Sequence, residues 1–328
     1  MRSKRTPIEH VFLTSTMIAT LSACVAELPS TGTVSQGIAS FGEWSAPVNV
    51  GAPINSPYND SYAFLTRDGL TMYFTSDRPG GHGSDDLWVS HREARDAPWQ
   101  EPENLDVLNS AAADSLAVLS SDGTTMFFAS TRPGCGLSDL WTSRLDRATK
   151  QWSAPENLGC VVNTGFNENA PALYEGKHHV TTLYFGSNRP GGVGDFDIYQ
   201  STSTDKDLAN ASFGPGVLVR ELSSPKRDTR TFVRRDGLEI FITSDRDGGF
   251  GLIDLWVATR AHTSSPWGVP VNLGGVVNSV MDDGSPALSH DGTTMHFFSN
   301  RAGGLGLRDI YYTTRTRLDD GDDEHEDD

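Results

Sequence analysis

Apolar and polar positions along this chain follow a short rhythm. Runs of four or five apolar residues are closed by turn dipeptides, and no helical spacing is sustained between residues 41 and 318. A first run falls at Tyr62–Thr66, Leu116–Ser120, Pro171–Tyr174, Thr231–Arg234 and Pro286–Ser289. Each is followed by a tight turn, Asp68-Gly69, Asp122-Gly123, Glu175-Gly176, Asp236-Gly237 or Asp291-Gly292. Asp-Gly suits a turn because glycine accepts positive φ and the Asp side chain bonds nearby backbone. A second run lies at Met72–Thr75, Met126–Ala129, Leu183–Gly186, Ile240–Thr243 and Met295–Phe298. Then comes a glycine-rich loop, SDRPGGHGSDDLW at Ser76–Trp88, which recurs at Ser130–Trp141, Ser187–Tyr199, Ser244–Trp256 and Ser299–Tyr311. A third strand is predicted to begin at its Asp-Leu-Trp or Asp-Ile-Tyr. A fourth carries Trp-x-x-Pro-x-Asn-Leu at Trp99–Leu105, Trp152–Leu158 and Trp267–Leu273, with a degenerate copy at Phe213–Val219.

Four short strands per unit of about fifty residues are the mark of a β-propeller blade. The expected fold is therefore all-β, a five-bladed β-propeller over residues 41–318 with four antiparallel strands per blade. The fifth unit lacks a fourth strand, and Trp44–Val50 is an unattached copy of that pattern. This N-terminal strand is predicted to complete the last blade and close the ring, so that no sheet edge is left at the seam. All seven tryptophans fall on two repeat positions: Trp88, Trp141 and Trp256 on the third strand, and Trp44, Trp99, Trp152 and Trp267 on the fourth. An aromatic at the same place in every blade is what packing between blades requires, although a row of rings can also stack on sugars.

The repeated set of Asp-Gly, apolar strand, Ser-x-Arg-x-Gly-Gly and Asp-Leu-Trp/Tyr resembles the WD40-like (PD40, TolB-type) propeller repeat family. The resemblance covers about residues 41–318. It implies an envelope protein that binds other macromolecules.

The ends change the picture further. Arg2, Lys4 and Arg5 precede the mainly apolar run Val11–Leu21, which predicts an export signal over residues 1–23. Leu21-Ser22-Ala23-Cys24 resembles the lipobox of bacterial lipoproteins, which implies a diacylglycerol on Cys24. Residues 24–40 then read as a flexible tether. Val25 is not Asp, so the family's sorting rule leans towards the outer membrane or its periplasmic side. The formal net charge is −17, and eight of the last ten residues are acidic. Residues 319–328 are accordingly expected to be a disordered tail, and a body of this sign repels phosphate backbones, which argues against nucleic acid as a partner.

Candidate chemistry gathers where each first strand begins. Asp60, Asp114, Glu168, Asp228 and Asp283 stand seven or eight residues before the turn, so five carboxylates are expected around one mouth of the channel. They could hold a metal such as Ca2+, bind a cationic or polyhydroxyl ligand, or supply a glycosidase-type acid pair. Equally, each could cap a turn or pair with the loop arginine of its blade, Arg78, Arg132, Arg189, Arg246 or Arg301. Cys135 reads as a replacement of its loop's second glycine, and Cys160 follows the fourth strand of the same blade. In an oxidising compartment a disulfide is expected, worth about 3 kcal/mol for a loop of about 25 residues. The glycine-rich loop joins two strands and carries no Lys-Ser/Thr, which excludes a P-loop. The histidines show no zinc spacing, and Gly-x-Ser-x-Gly is missing.

These features predict a monomeric, non-enzymatic, lipid-anchored scaffold without a cofactor, binding an envelope protein or a cell-wall polymer. The alternative is a glycan-binding or glycoside-hydrolase-like propeller that uses the channel-mouth carboxylates.

Overall fold

The computed structural model describes residues 40–318, a five-bladed β-propeller of four-stranded antiparallel sheets, the second of which pairs an extra two-residue strand, Gln151–Trp152, with its third strand. The inner strands are Asp60–Leu65, Asp114–Leu119, Glu168–Glu175, Asp228–Val233 and Asp283–Leu288. The second strands are Thr71–Ser76, Thr125–Ser130, Thr181–Ser187, Glu239–Ser244 and Thr294–Ser299. The third are Asp86–His91, Asp139–Asp146, Asp197–Ser203, Asp254–Thr259 and Asp309–Thr314. The outer strand of the last blade is Val48–Asn49, paired to Tyr311 and Tyr312, so the N-terminal segment closes the wheel as its sequence predicts. A second clasp, unforeseen, pairs Ser40–Phe41 with Arg317–Leu318.

Two boundaries differ from the sequence reading, each for a physical reason. The inner strands begin up to three residues earlier than the apolar runs, because a register break follows the strand's opening residues in every blade. At that break Tyr62, Leu116, Ala170 and Ser285 take positive φ, between 54° and 64°. Such a bulge disrupts the period of two on which strand reading depends. The outer strands shrink to two residues, as in Glu103–Asn104 and Val271–Asn272. Pro102 and Pro270 stand directly before them, and without an N–H they cannot extend the ladder.

Burial organises the interior into five apolar clusters, one at each junction between blades. Tyr184 and Ile198 of the third blade meet Ile240, Ile242 and Trp256 of the fourth, and Phe241 and Leu255 meet Met295, Phe297 and Tyr311 of the fifth. Ile310 of the fifth blade packs with Met72, Phe74 and Trp88 of the first, so the seam is filled like any other junction. Parallel bridges link successive blades in the same way, including Asn59 to Arg308 across the seam. Removing this apolar surface from water is the main favourable term in such a fold.

Candidate functional site

The five predicted acids are each the first residue of an inner strand, and their side chains are fully buried. Each is ion-paired with the arginine of the following loop. The distances are 2.6 Å for Asp60–Arg78, 2.5 Å for Asp114–Arg132, Asp228–Arg246 and Asp283–Arg301, and 3.1 Å for Glu168–Arg189. Asp60 shows the full set: Oδ1 also accepts from Ser76 Oγ at 2.6 Å, and Oδ2 accepts from the backbone N–H and Oγ of Ser56 at 2.6 and 2.7 Å. Every arginine lies against the third-strand aromatic of its own blade, from Arg189 at 4.8 Å from the Tyr199 ring to Arg78 at 5.5 Å from Trp88. Of the two readings the sequence leaves open for these acids, the geometry is that of the arginine pair. None of the five presents an oxygen to solvent, so they do not form an open ring at a channel mouth. A charge can be buried when paired and hydrogen-bonded in this way.

A second repeated carboxylate went unassigned in the sequence, although it opens every Asp-Leu-Trp/Tyr motif. Asp86, Asp139, Asp197, Asp254 and Asp309 are each about 1% exposed. They accept from backbone N–H groups of the glycine-rich loop, as His82 N–H does to Asp86 at 2.9 Å and Val193 N–H to Asp197 at 2.8 Å. This explains one of the loop glycines: a Cβ on Gly81 would stand 2.0 Å from Asp86 Oδ2. In the second blade Gly134 holds the same place, 2.0 Å from Asp139 Oδ2. Cys135 therefore does not replace the second glycine. The loop is one residue shorter, and Cys135 takes the position of His82, its N–H bonding Asp139. Cys135 is disulfide-bonded to Cys160, with the two Cα atoms 5.6 Å apart. Among the described residues no group of three or more His, Cys, Asp or Glu side chains is gathered to hold a metal ion. Cys24 lies outside the described residues.

The open cavity is at the other end of the inner strands. It measures about 940 Å3 and is lined by the last residues of those strands and by their turns. Phe64 and Phe232 approach across the channel, ring centres 6.5 Å apart, and Tyr174 flanks them on the wall. At the rim the blades carry Arg67, Ser121, Glu175, Arg235 and His290. Glu175 accepts from the Ser121 N–H and hydroxyl, Arg147 pairs with Asp122 at 3.2 Å, and Arg235 contacts His290. Burial, and then Arg235 and Arg67, hold His290 below the usual imidazole range. The Thr66 hydroxyl and the Leu70 N–H lower Asp68. Burial pushes Asp122 up but is outweighed by Ser120, Thr124 and Arg147, so it too lies low. A smaller cavity of about 130 Å3, lined by Tyr62, Leu116, Ala170 and Ser285, lies on the side of the channel where the exposed Arg227 and Asp245 stand, and Arg230 borders both cavities. Arg230 was missed although its signal is in the sequence: two residues after the repeated acid the other blades carry the uncharged Tyr62, Leu116, Ala170 and Ser285, and the fourth carries a cation.

The fold and these features define the class: a closed five-bladed β-propeller with a polar-rimmed, aromatic-walled channel mouth. No family model matches the chain, and no curated protein matches it. Among solved structures it is similar to the endo-arabinase of Bacteroides thetaiotaomicron VPI-5482, at 15% identity and a TM-score of 0.55, over 85% of this chain and 99% of that one. It is similar to a xylan β-1,4-xylosidase of Bacillus halodurans C-125, at 14% identity and a TM-score of 0.56, over 82% of this chain and 55% of that one. A Dyadobacter fermentans DSM 18053 protein of unknown function aligns at 12% identity and a TM-score of 0.52, over 84% of this chain and 99% of that one. At such identities the likeness is one of fold.

Proposed function

We propose that this protein is a glycan-binding propeller that receives a saccharide in the cavity at the turn face. The observation that carries the reading is the cavity itself: about 940 Å3, aromatic in its depth at Phe64 and Phe232 and polar at its rim. Sugar rings pack their apolar faces on aromatic side chains while hydroxyls take the polar rim. Structures of similar fold include a named arabinase and a named xylosidase, which supports the reading at the level of fold. The proposal is binding rather than turnover. Of the carboxylates that line this cavity, Asp68 and Asp122 are lowered, against the raised pKa a glycosidase's general acid needs, and Glu175 is held by the Ser121 N–H and hydroxyl.

A second reading has its own observation. The opposite face exposes large apolar side chains on several blades, among them Leu137, Phe250, Leu252, Val280, Leu305 and Leu307. Exposed apolar groups on one face suit the docking of a protein partner. A glycan array and an envelope-extract pull-down, each run with Phe232→Ala and with Leu252→Ser/Leu307→Ser, separate the two. The glycan reading expects array binding that Phe232→Ala abolishes and the loop variant leaves intact. The converse pattern, a captured protein lost only in the loop variant, would replace it. The PD40-type repeat, lipid attachment at Cys24, the 24–40 tether, the acidic tail and an outer-membrane or periplasmic setting belong to the same proposal. Metabolic labelling with a fatty-acid analogue that persists in Cys24→Ser would remove the anchor from it.

A further inference from the structure

Two residues after its opening acid, each inner strand places a side chain in the channel. Four blades put Tyr62, Leu116, Ala170 and Ser285 there, and the fourth blade puts Arg230. Arg230 is 2% exposed. Its one hydrogen bond is long, 3.5 Å from Nη2 to the Ala117 carbonyl across the channel, and its Nε and Nη1 donate to nothing among the described residues. The nearby ring face is Tyr62, 5.7 Å from the guanidinium carbon. Burial pulls the group down to about 10, so it is still a cation at neutral pH.

The five loop arginines show what this fold does with a buried guanidinium: each has a carboxylate within 3.1 Å. Arg230 has none among the described residues. An isolated ion in a protein interior costs several kcal/mol, so an uncompensated one calls for a counter-charge from outside the chain. A ligand in the large cavity reaches Arg230, which helps to form its floor. The rim above adds Arg67 and Arg235, exposed and without a carboxylate partner among the described residues.

We propose that the channel floor is an anion subsite, and that the saccharide it receives carries a carboxylate, as a uronic acid unit does. This rests on the glycan reading above and narrows it. One guanidinium supplies a single positive charge, which matches a carboxylate better than a phosphate of nearly two negative charges. Its planar fork suits a planar two-oxygen group. The walls at Phe64 and Phe232 would cover the sugar face while the acid points to the floor.

The test is calorimetric titration of the full chain with trigalacturonate and with its carboxyl-reduced trisaccharide at fixed ionic strength. It is repeated with Arg230→Met, which deletes an unpaired buried charge and is therefore expected to fold at least as well. A parallel thermal-shift series uses acetate. The wild type should prefer the acidic sugar by about tenfold or more, a preference the variant loses. Equal affinity for the two sugars, or a preference that survives in Arg230→Met, overturns the subsite. If neither sugar binds but acetate raises the melting temperature of the wild type and not of the variant, the anion subsite stands and the glycan reading falls. If neither sugars nor acetate act, both fall.

Discussion

The two ends of the inner strands obey different rules. At the opening end every blade carries the same device: a buried acid, a loop arginine paired to it and an aromatic ring beside the arginine. At the turn end the matching positions are Arg67, Ser121, Glu175, Arg235 and His290, no two neighbouring blades chemically alike except where Arg235 meets His290. A wheel needs every junction to be equally sound, so what builds the junctions repeats. A ligand is not five-fold symmetric, so what would contact it does not. Repetition marks the scaffold in this molecule, and its failure marks the candidate chemistry.

The sharpest way to break that comparison is to cut one clamp. Asp228→Ala leaves Arg246 buried without its partner, and removing one member of such a pair costs about 3–5 kcal/mol. Urea unfolding should show that loss, and Asp114→Ala in a different blade should show a similar one. A clamp that can be cut for less than about 1 kcal/mol would not be the scaffold device inferred here. Asp60→Asn should also destabilise, because the amide keeps one acceptor for Ser76 and Arg78 but turns its NH2 towards the Ser56 N–H.

One departure from repetition lies in the packing layer rather than at the turn face. Tyr73, Phe127, Tyr184 and Phe241 occupy one position of the second strand, and His296 occupies it in the fifth blade. Its ring lies 6.0 Å from Tyr312, and its Nδ1 has no partner among the described residues. Burial, with Arg92 adding to it, pulls His296 down to about 4. The unfolded chain titrates near 6.5, so below that pH it takes up a proton the folded protein refuses. The contribution is therefore complete above about pH 6.5 and is lost as pH falls towards 4, reaching about 3 kcal/mol at most. His296→Phe should flatten that part of the stability curve. Parallel curves for variant and wild type would mean that the imidazole is reached by water.

Much of this was legible in advance, for reasons the same comparison makes plain. The blades, their number and the borrowed strand at Val48–Asn49 follow from repeated motifs, and the partners Cys135 and Cys160 from their places in one blade. The pairing of acid with arginine could be posed but not decided, because whether Asp60 faces the channel or folds back on Arg78 depends on a bulge. In four blades that bulge puts Tyr62, Leu116, Ala170 or Ser285 at positive φ, a conformation their side chains do not advertise. Arg230 stands at a fixed place two residues after the repeated acid, but the sequence does not say that the bulge turns this position into the channel. Candidate chemistry was expected at the mouth where the repeated acids stand, whereas the large cavity lies at the turn end.

The smallest expected effect is the one that sharpens the division most. Glu175 is exposed and bonded only to Ser121 in the neighbouring blade, and Arg67 is exposed at the same rim. Changes at such surface sites usually shift stability by no more than about 0.5 kcal/mol. Glu175→Gln and Arg67→Gln should therefore unfold in urea as the wild type does, while the affinity for an acidic sugar moves in opposite directions. Glu175→Gln removes a negative charge from the mouth and should tighten binding. Arg67→Gln removes a positive one and should weaken it, each by a factor of about two to five for an exposed charge. The two shifts should shrink together in high salt, because solvent ions screen exposed charges over about 10 Å. A rim variant that lost as much stability as a cut clamp would show that both ends of the strand serve the scaffold.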